Sequence, residues 1–355
     1  MRRAGPFLLA AVALLSSGCT LPQDTPPDQP SSVTIAAVGD TNGYNLRQGR
    51  SDSEDPLFGV RDLLRQQDIF IFNYEGAIVS EPPAPKTCQK FPRQSMFYSL
   101  PWVADFLHPT QLVVATLANN HVLDCGPEGI EDTIREFSRR RIFTVGAGRS
   151  ADEACKPVRL RVNGIRLAVV AYLAMEPDRF SAKPGRAGTA SWEECGGERQ
   201  LAELVAAGDF VVVSLHLHLG RGWTEQAPTD HVDSVRRILT AGAGVVIGHG
   251  PHVPQGILVS DGRVGLLSLG NFLFRPDYRM PDPAHRSVLA RLTISSDSLT
   301  LALQPLRLDG SGRPQIPRPE EATQILRGIG TLSTALGTSV EIKGDLGYVT
   351  VQRRR

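Results

Sequence analysis

The stretch Val245-Val246-Ile247-Gly248-His249-Gly250-Pro251-His252-Val253 decides how this chain is read. Its apolar run reads as a buried strand that stops at Gly248 and delivers His249 and His252 into a loop containing Gly and Pro. Open α/β sheets place their ligands beyond the carboxyl ends of such strands. A lone histidine there is commonly a solvated loop residue. Two of them so close together, beside glycines that permit unusual backbone angles, point instead to a metal or phosphate site.

Outward from that stretch the same arrangement recurs. Val33 to Val38 reads as a strand ending in Gly39-Asp40, and Ile69 to Phe72 ends in Asn73-Tyr74-Glu75-Gly76. Leu112 to Leu117 ends in Ala118-Asn119-Asn120-His121, and Ile142 to Val145 ends in Gly146-Ala147-Gly148. Helical stretches near Asp55 to Gln66 and from Pro127 to Arg140 separate them, and strands alternating with helices argue for a parallel sheet. The second half changes character. Arg159 to Val162 and Ile165 to Leu173 form a hairpin about Asn163-Gly164, and Val253 to Ser268 does the same about Asp261-Gly262, because such pairs supply the positive φ angles of a two-residue turn. A helix near Glu198 to Ala206, the strand Phe210 to Leu219 and a helix opening at Pro228 lie between the hairpins. Two strands, Ser287 to Ile294 and Leu299 to Leu306, follow, then a helix from Thr323 to Leu336 and an edge strand from Gly347 to Val351. The pattern predicts an α/β (α+β) sandwich of two mixed β-sheets flanked by helices. The Pro-rich Ser80 to Ser99 reads as a covering loop, and Arg275 to Arg286 as a segment leading away from the site.

The strand ends carry hard or borderline metal ligands: Asp40, Glu75, Asn120, His216 or His218, His249 and His252. Carboxylate, amide and imidazole together suit Mn, Zn or Fe, as one or two divalent ions, better than a thiolate site or an all-oxygen calcium cage. Alternation in Ser214-Leu215-His216-Leu217-His218 puts both histidines on one face of their strand, so one can be a ligand while the other packs; spacing to Gly220 favours His218. His231 and His108 read as surface or structural residues. Asp124 is either an N-cap for the helix that follows or a support for His121 three residues before it, and the second reading is preferred.

These motifs, in this order, resemble the CapA family, linked to bacterial capsule and poly-gamma-glutamate production. The elements of the resemblance are Gly39-Asp40, Asn73 to Glu75, Ala118 to Gly126, His218 to Gly220, Gly248 to His252 and Ser268 to Phe272. It spans roughly Val33 to Leu306, and an ordered set is far more specific than one short motif. The resemblance implies a calcineurin-like metallophosphoesterase fold. It implies Asp40 as ligand of a first metal, Glu75 as a shared or second-metal ligand, Asn120 as a ligand through its amide oxygen, and His249 and His252 as ligands. His121 would lie beside the substrate as general acid, with Asn120 and Asp124 in the catalytic group, and Asn271 near the site. The implied chemistry is attack by a metal-activated hydroxide on a phosphoester or a γ-glutamyl amide. Three positions depart from the family. Asn42 stands where a histidine is typical, Gly222 where a glutamate is frequent, and Gly250 where a second histidine is frequent.

Composition and termini bound the function classes. With 41% hydrophobic and 21% charged residues the chain is ordinary globular material. A formal net charge of +1 and no long basic run give nucleic acid no electrostatic footprint. Residues 1–19 have the charged, apolar and small-residue order of an export signal, and Ser16-Ser17-Gly18-Cys19 resembles a lipoprotein cleavage box that would leave a lipidated Cys19 in a membrane. Residues 20–32 form a Pro-rich tether, residues 33–310 the CapA-like domain, and residues 311–355 a C-terminal helix and strand packing on that domain. The protein is thus expected to be an exported lipoprotein of the periplasm, outer membrane or cell surface. Cys88, Cys125, Cys155 and Cys195 suit two disulfides, with three pairings open. The expected function is a metal-dependent hydrolase of capsule or poly-gamma-glutamate biosynthesis. Its partners would be an anionic polymer or a small phosphorylated or γ-glutamyl substrate, and a capsule synthesis complex at the membrane. An accessory module that binds or transfers the polymer is the alternative; a solute-binding lipoprotein fits less well, because no second lobe is visible.

Overall fold

A computed structural model of the chain describes residues 31–43, 55–80, 88, 96–217, 223–274 and 280–352. Ser31–Arg355 forms one compact unit. Its larger sheet is built around Ser32–Thr41, flanked by parallel Ile69–Tyr74 and antiparallel Arg286–Ser295. On one side Leu112–Thr116 and Ile142–Val145 extend it in parallel; on the other Ser298–Leu308, Leu346–Gln352 and Glu341–Lys343 extend it antiparallel. The strand expected at the C-terminal edge therefore lies one place in, because Glu341–Lys343 folds back onto it.

The second sheet runs Ile257–Ser260, Arg263–Leu266, Val245–His249, Phe210–His216, Ile165–Leu173, Val158–Val162. Its three central strands are parallel and apolar, as strands covered on both faces must be. Both predicted hairpins form, with Asn163 at φ 50° and Asp261 at φ 48° in the turns. The α/β sandwich of two mixed sheets flanked by helices, expected from the sequence, is the architecture found.

Periodicity explains the layering. Ile35, Ala37, Ile71 and Val114 of the large sheet meet Val169, Val212 and Ile247 of the second in one core between the sheets. The alternate residues Ala36, Val38, Phe70 and Phe72 face outward and are covered with Phe137 of the helix Gly126–Arg139. On the far side, Val170, Val213 and Val246 are covered by Leu201, Val235 and Leu239 from the helices Gly197–Ala206 and Thr229–Thr240. His231 sits in the second of these helices and is 1% exposed, so of the two roles expected for it the structural one holds; burial pushes its imidazole down to about 4. The disulfides are Cys88–Cys125 and Cys155–Cys195.

Candidate metal centre

The parallel strands of both sheets end on the same side of the sandwich, and their last residues meet there. Asp40 is the penultimate residue of Ser32–Thr41, Glu75 follows Ile69–Tyr74, His216 closes Phe210–His216 and His249 closes Val245–His249. Gly39 makes the junction possible. A Cβ on it would stand 1.9 Å from the Gly270 carbonyl oxygen, the group that accepts the Asp40 N–H at 2.9 Å. Only glycine allows that approach.

Asp40, Glu75 and His252 offer ligand atoms that all lie within 4.8 Å of one another. Glu75 Oε1 is the geometric centre of the imidazoles: His252 Nε2 lies 3.8 Å from it, and His121 Nε2 and His216 Nε2 each lie 3.9 Å away. These separations are too long for hydrogen bonds. They are near the spacing of two atoms that share one ion at metal–ligand distances of about 2.1 Å. Glu75 Oε2, Asn120 Oδ1 and His249 Nε2 are buried and have no hydrogen-bond partner among the described residues. Buried polar atoms are normally satisfied, so exceptions on three residues at the strand ends ask for a bound group. A donor set of carboxylate, amide oxygen and imidazole fits a divalent transition metal.

Beneath these atoms lies a layer that is fully bonded. Asn73 Nδ2 donates to Asp40 Oδ1 at 2.8 Å and faces His216 Nδ1 at 3.2 Å. An amide N–H donates, so the His216 proton is left on Nε2, toward Glu75. Asn119 donates to Asn73 Oδ1 and to the Tyr74 carbonyl, and its own Oδ1 accepts the His121 N–H. Asn271 Oδ1 lies 2.9 Å from His252 Nδ1, which fixes that ring with Nε2 directed at the centre. His252 holds φ 60°, an uncommon conformation for a residue with a side chain, and the site is where such strain is tolerated.

Burial alone would raise the Asp40 carboxyl, but contacts with His249, 3.3 Å away, and His252, 3.2 Å away, hold it well below the usual carboxylate range. Burial pushes Glu75 up to about 7; Asp40 and Asp124 reinforce that push, while His252 and His121 oppose it. Burial works against a charged His252, yet Glu75 and Asp40 prevail and raise it to about 9. Gly250 supplies its backbone N–H to Asp40 Oδ2 at 3.1 Å, at φ 105°, and a Cβ there would stand 2.7 Å from the Leu217 carbonyl oxygen. A histidine could not take its place without a shift of backbone.

His121 and Asp124 form a dyad, Nδ1 to Oδ2 at 2.8 Å. The same Oδ2 accepts the Phe97 N–H at 2.5 Å, and the Phe97 ring lies 4.2 Å from the imidazole, centroid to centroid. Asp124 is therefore a support; the helix it precedes has Cys125 at the N-cap position and no side-chain cap. Phe274 contacts both Phe97 and His252, closing an aromatic wall. Of the expected residues, Asp40, Glu75, His121, Asp124, His216, His249, His252 and Asn271 come together, and Asn120 is buried next to His121 in the chain. His218, Gly220 and Gly222 lie outside the described residues, as do most of the expected covering loop and residues 275–279. The supporting roles of Asn73 and Asn119 went unread although both stand inside quoted motifs, and nothing in the sequence marks Phe97 or Phe274.

Strand-end carboxylates and imidazoles that meet between two helix-flanked sheets make this an α/β sandwich with a candidate metal centre. The family model of the bacterial capsule synthesis protein PGA_cap matches residues 34–276, and the chain belongs to that family. The PGA biosynthesis protein CapA of Bacillus subtilis is 29% identical over 250 residues, which cover 68% of this chain and 63% of that protein. The capsule biosynthesis protein CapA of Bacillus anthracis is 25% identical, over 68% of this chain and 60% of that one. The chain thus spans somewhat under two thirds of the length of these relatives. Among solved structures, the NAD nucleotidase of Haemophilus influenzae aligns at 10% identity with a TM-score of 0.43, covering 83% of this chain and 55% of that one. The 5'-nucleotidase precursor of Thermus thermophilus aligns at 16% identity with a TM-score of 0.39, covering 87% and 60%.

Proposed function

We propose that this protein is a metal-dependent hydrolase of the cell envelope that acts on a phosphoester or a γ-glutamyl amide in capsule or poly-gamma-glutamate biosynthesis. What supports the reading most is that Asp40, Glu75 and His252 bring ligand atoms within 4.8 Å of one another, while Glu75 Oε2, Asn120 Oδ1 and His249 Nε2 are buried and partnerless among the described residues. Asp40, Glu75, Asn120, His249 and His252 would hold one or two ions of Mn, Zn or Fe. When bound, such an ion supplies Lewis acidity to the scissile group and to water.

The chain's own residues do the rest. Asp124 keeps a proton on His121 Nδ1, so a protonated His121 carries its second proton on Nε2, the atom that faces the centre, and can release it to a leaving group. His216 turns an Nε2–H to the same space and can donate to a substrate oxygen. Phe97 and Phe274 shield the dyad and His252 from bulk water, which strengthens every charge interaction inside. The protein would act as an exported lipoprotein, held at the membrane through Cys19 and working on an anionic polymer beside a capsule synthesis complex.

The test is elemental analysis of the purified protein and of a His249→Ala/His252→Ala double variant, each then screened on phosphoesters and γ-glutamyl peptides. One or two equivalents of Mn, Zn or Fe, absent from the variant together with all turnover, is the expected result. Absence of metal after reloading would replace this reading by that of an accessory polymer-binding module.

A further inference from the structure

A second polar site lies on the outer face of the large sheet. It is a groove of about 210 Å³, open on one side to solvent, lined in part by Gln67, Arg291, Thr293, Thr300 and Tyr348. Strand register makes it one surface: Thr34 pairs with Thr293 and Thr293 with Thr300, while Arg291 pairs with Ala302 and Ala302 with Tyr348. Thr34 stands near the start of the strand that ends at Asp40, so the groove is about 20 Å from the metal centre at the rise of about 3.3 Å per residue of an extended chain. Elsewhere this face is apolar and buried, as at Phe70, Phe72 and Leu289, and is covered by Phe137 among others. Here it is polar and open.

Among the described residues, two groups in the groove have bonding capacity left over. Gln67 is only 7% exposed; its Nε2 donates to the Leu63 carbonyl, but its Oε1 is buried with no hydrogen bond among the described residues. A buried amide oxygen left unpaired is costly. Arg291 is half-buried and pairs with no carboxylate among the described residues, whereas Arg286 and Arg307, on the same pair of strands, both bind Asp282. Asp68, the carboxylate beside Thr34, is taken by the Thr34 N–H and hydroxyl at 2.8 and 2.9 Å.

The pair defines its ligand. Arg291 asks for an anion and Gln67 Oε1 for an N–H donor, with threonine and tyrosine hydroxyls between them for a carbonyl. Polyphosphate offers the first and lacks the second. A chain in which carboxylates alternate with secondary amides offers all three. We propose that this groove is a docking site for a γ-glutamyl polymer, with Arg291 on a free carboxylate and Gln67 Oε1 accepting an amide N–H of the linkage. The proposal rests on the polymer assigned to the protein above. Docking there keeps the chain at high local concentration near the hydrolytic centre.

Fluorescence anisotropy of the full-length protein with a labelled γ-linked glutamate oligomer tests it, with melting temperature and metal content recorded for each variant. Arg291→Gln and Gln67→Leu should each weaken binding about tenfold, the scale expected for one charge-assisted or one buried hydrogen bond. Polyacrylate, which has carboxylates and no amides, should respond to Arg291→Gln and ignore Gln67→Leu. Arg291→Lys, which keeps the charge, should fall between. Wild-type affinity in both groove variants, with binding lost in Asp40→Asn, would place the polymer only at the strand ends and overturn the proposal. Polyphosphate binding as tightly as the oligomer, or Gln67→Leu weakening polyacrylate equally, would overturn the assigned ligand. The two readings fail separately: metal-dependent phosphoester hydrolysis without oligomer binding removes the groove alone, and groove binding without metal removes the hydrolase alone.

Discussion

The buried polar groups at the strand ends fall into two tiers that obey opposite rules. In the lower tier, Asn73, Asn119 and Asn271 spend their amides on Asp40, His216, His121 and His252, and Thr116 meets Ser214 across the two sheets at 2.9 Å. In the upper tier, Glu75, Asn120 and His249 present atoms that no described residue satisfies. A satisfied network stabilises and orients; an unsatisfied one costs stability and is retained for what it binds. The contrast separates scaffold from site residue by residue, and each experiment below tests that boundary.

The largest effect is expected from His249→Leu, which removes an upper-tier group. Metal affinity and turnover should drop by more than the roughly 10- to 100-fold that loss of a mere supporting partner costs. Stability of the metal-free protein should change little, by up to about 1 kcal/mol, because an unpaired Nε2 is replaced by an apolar side chain while Asp40 loses its contact with His249 Nδ1 but keeps those with His252, Asn73 and the Gly250 N–H. A clear loss of melting temperature would move His249 into the lower tier.

Proton occupancy gives the next effect. Glu75, at about 7 instead of its ordinary 4.5, and His252, at about 9 instead of 6.5, both hold protons more tightly in the folded, metal-free protein than in the unfolded chain. For groups raised in this way, the stabilisation is fully present below the unfolded value and is lost as pH rises through the folded one. Melting temperature without metal should therefore fall from about pH 4.5 to about pH 9. Metal must displace those protons, so its affinity should climb across the same range, about tenfold per pH unit while one proton is displaced. Competition titrations that give a flat affinity between pH 7 and about 9 would remove His252 from the ligand set.

Asn73→Ala, in the lower tier, should do the reverse of His249→Leu. It leaves Asp40 Oδ1 and Asn119 short of partners, at a cost of about 1–3 kcal/mol in stability, with a secondary loss of about 10- to 100-fold in metal affinity. Calorimetry on the two variants side by side sharpens the comparison: the ranking by stability should invert the ranking by metal affinity.

The upper tier was largely legible in the sequence, because each of its residues follows an apolar strand and strand ends of parallel sheets converge. Glu75, Asn120, His249 and His252 could be read for that reason. The lower tier was harder. Asn73 and Asn119 stand in quoted motifs, but an asparagine that holds another side chain leaves the same trace as one that makes a turn. Asn271 was drawn in by the family resemblance, and Asp124 by its spacing from His121. Phe97 and Phe274 left no trace, since their place over His121 and His252 depends on how distant segments cross the mouth of the site. Disulfide pairing was open for the same reason: it is a property of the tertiary fold that spacing does not encode.

That pairing carries the smallest expected effect on activity. Each bridge closes a loop of similar length, with sequence separations of 37 and 40, so the two should be worth comparable stabilities, about 2–4 kcal/mol each. Their surroundings differ. Cys125 adjoins Asp124, whose Oδ2 holds both His121 and the Phe97 backbone, whereas Cys155–Cys195 lies with Trp192 and Leu201 under the outer helices of the second sheet. Cys88→Ser/Cys125→Ser should lower the melting temperature and also cut turnover several-fold at constant metal content, because Asp124 and Phe97 lose a fixed anchor. Cys155→Ser/Cys195→Ser should lower the melting temperature by a similar amount and leave turnover at temperatures below melting unchanged. Equal loss of turnover in both would mean that the dyad feels only global stability, and that its tier ends at Asp124.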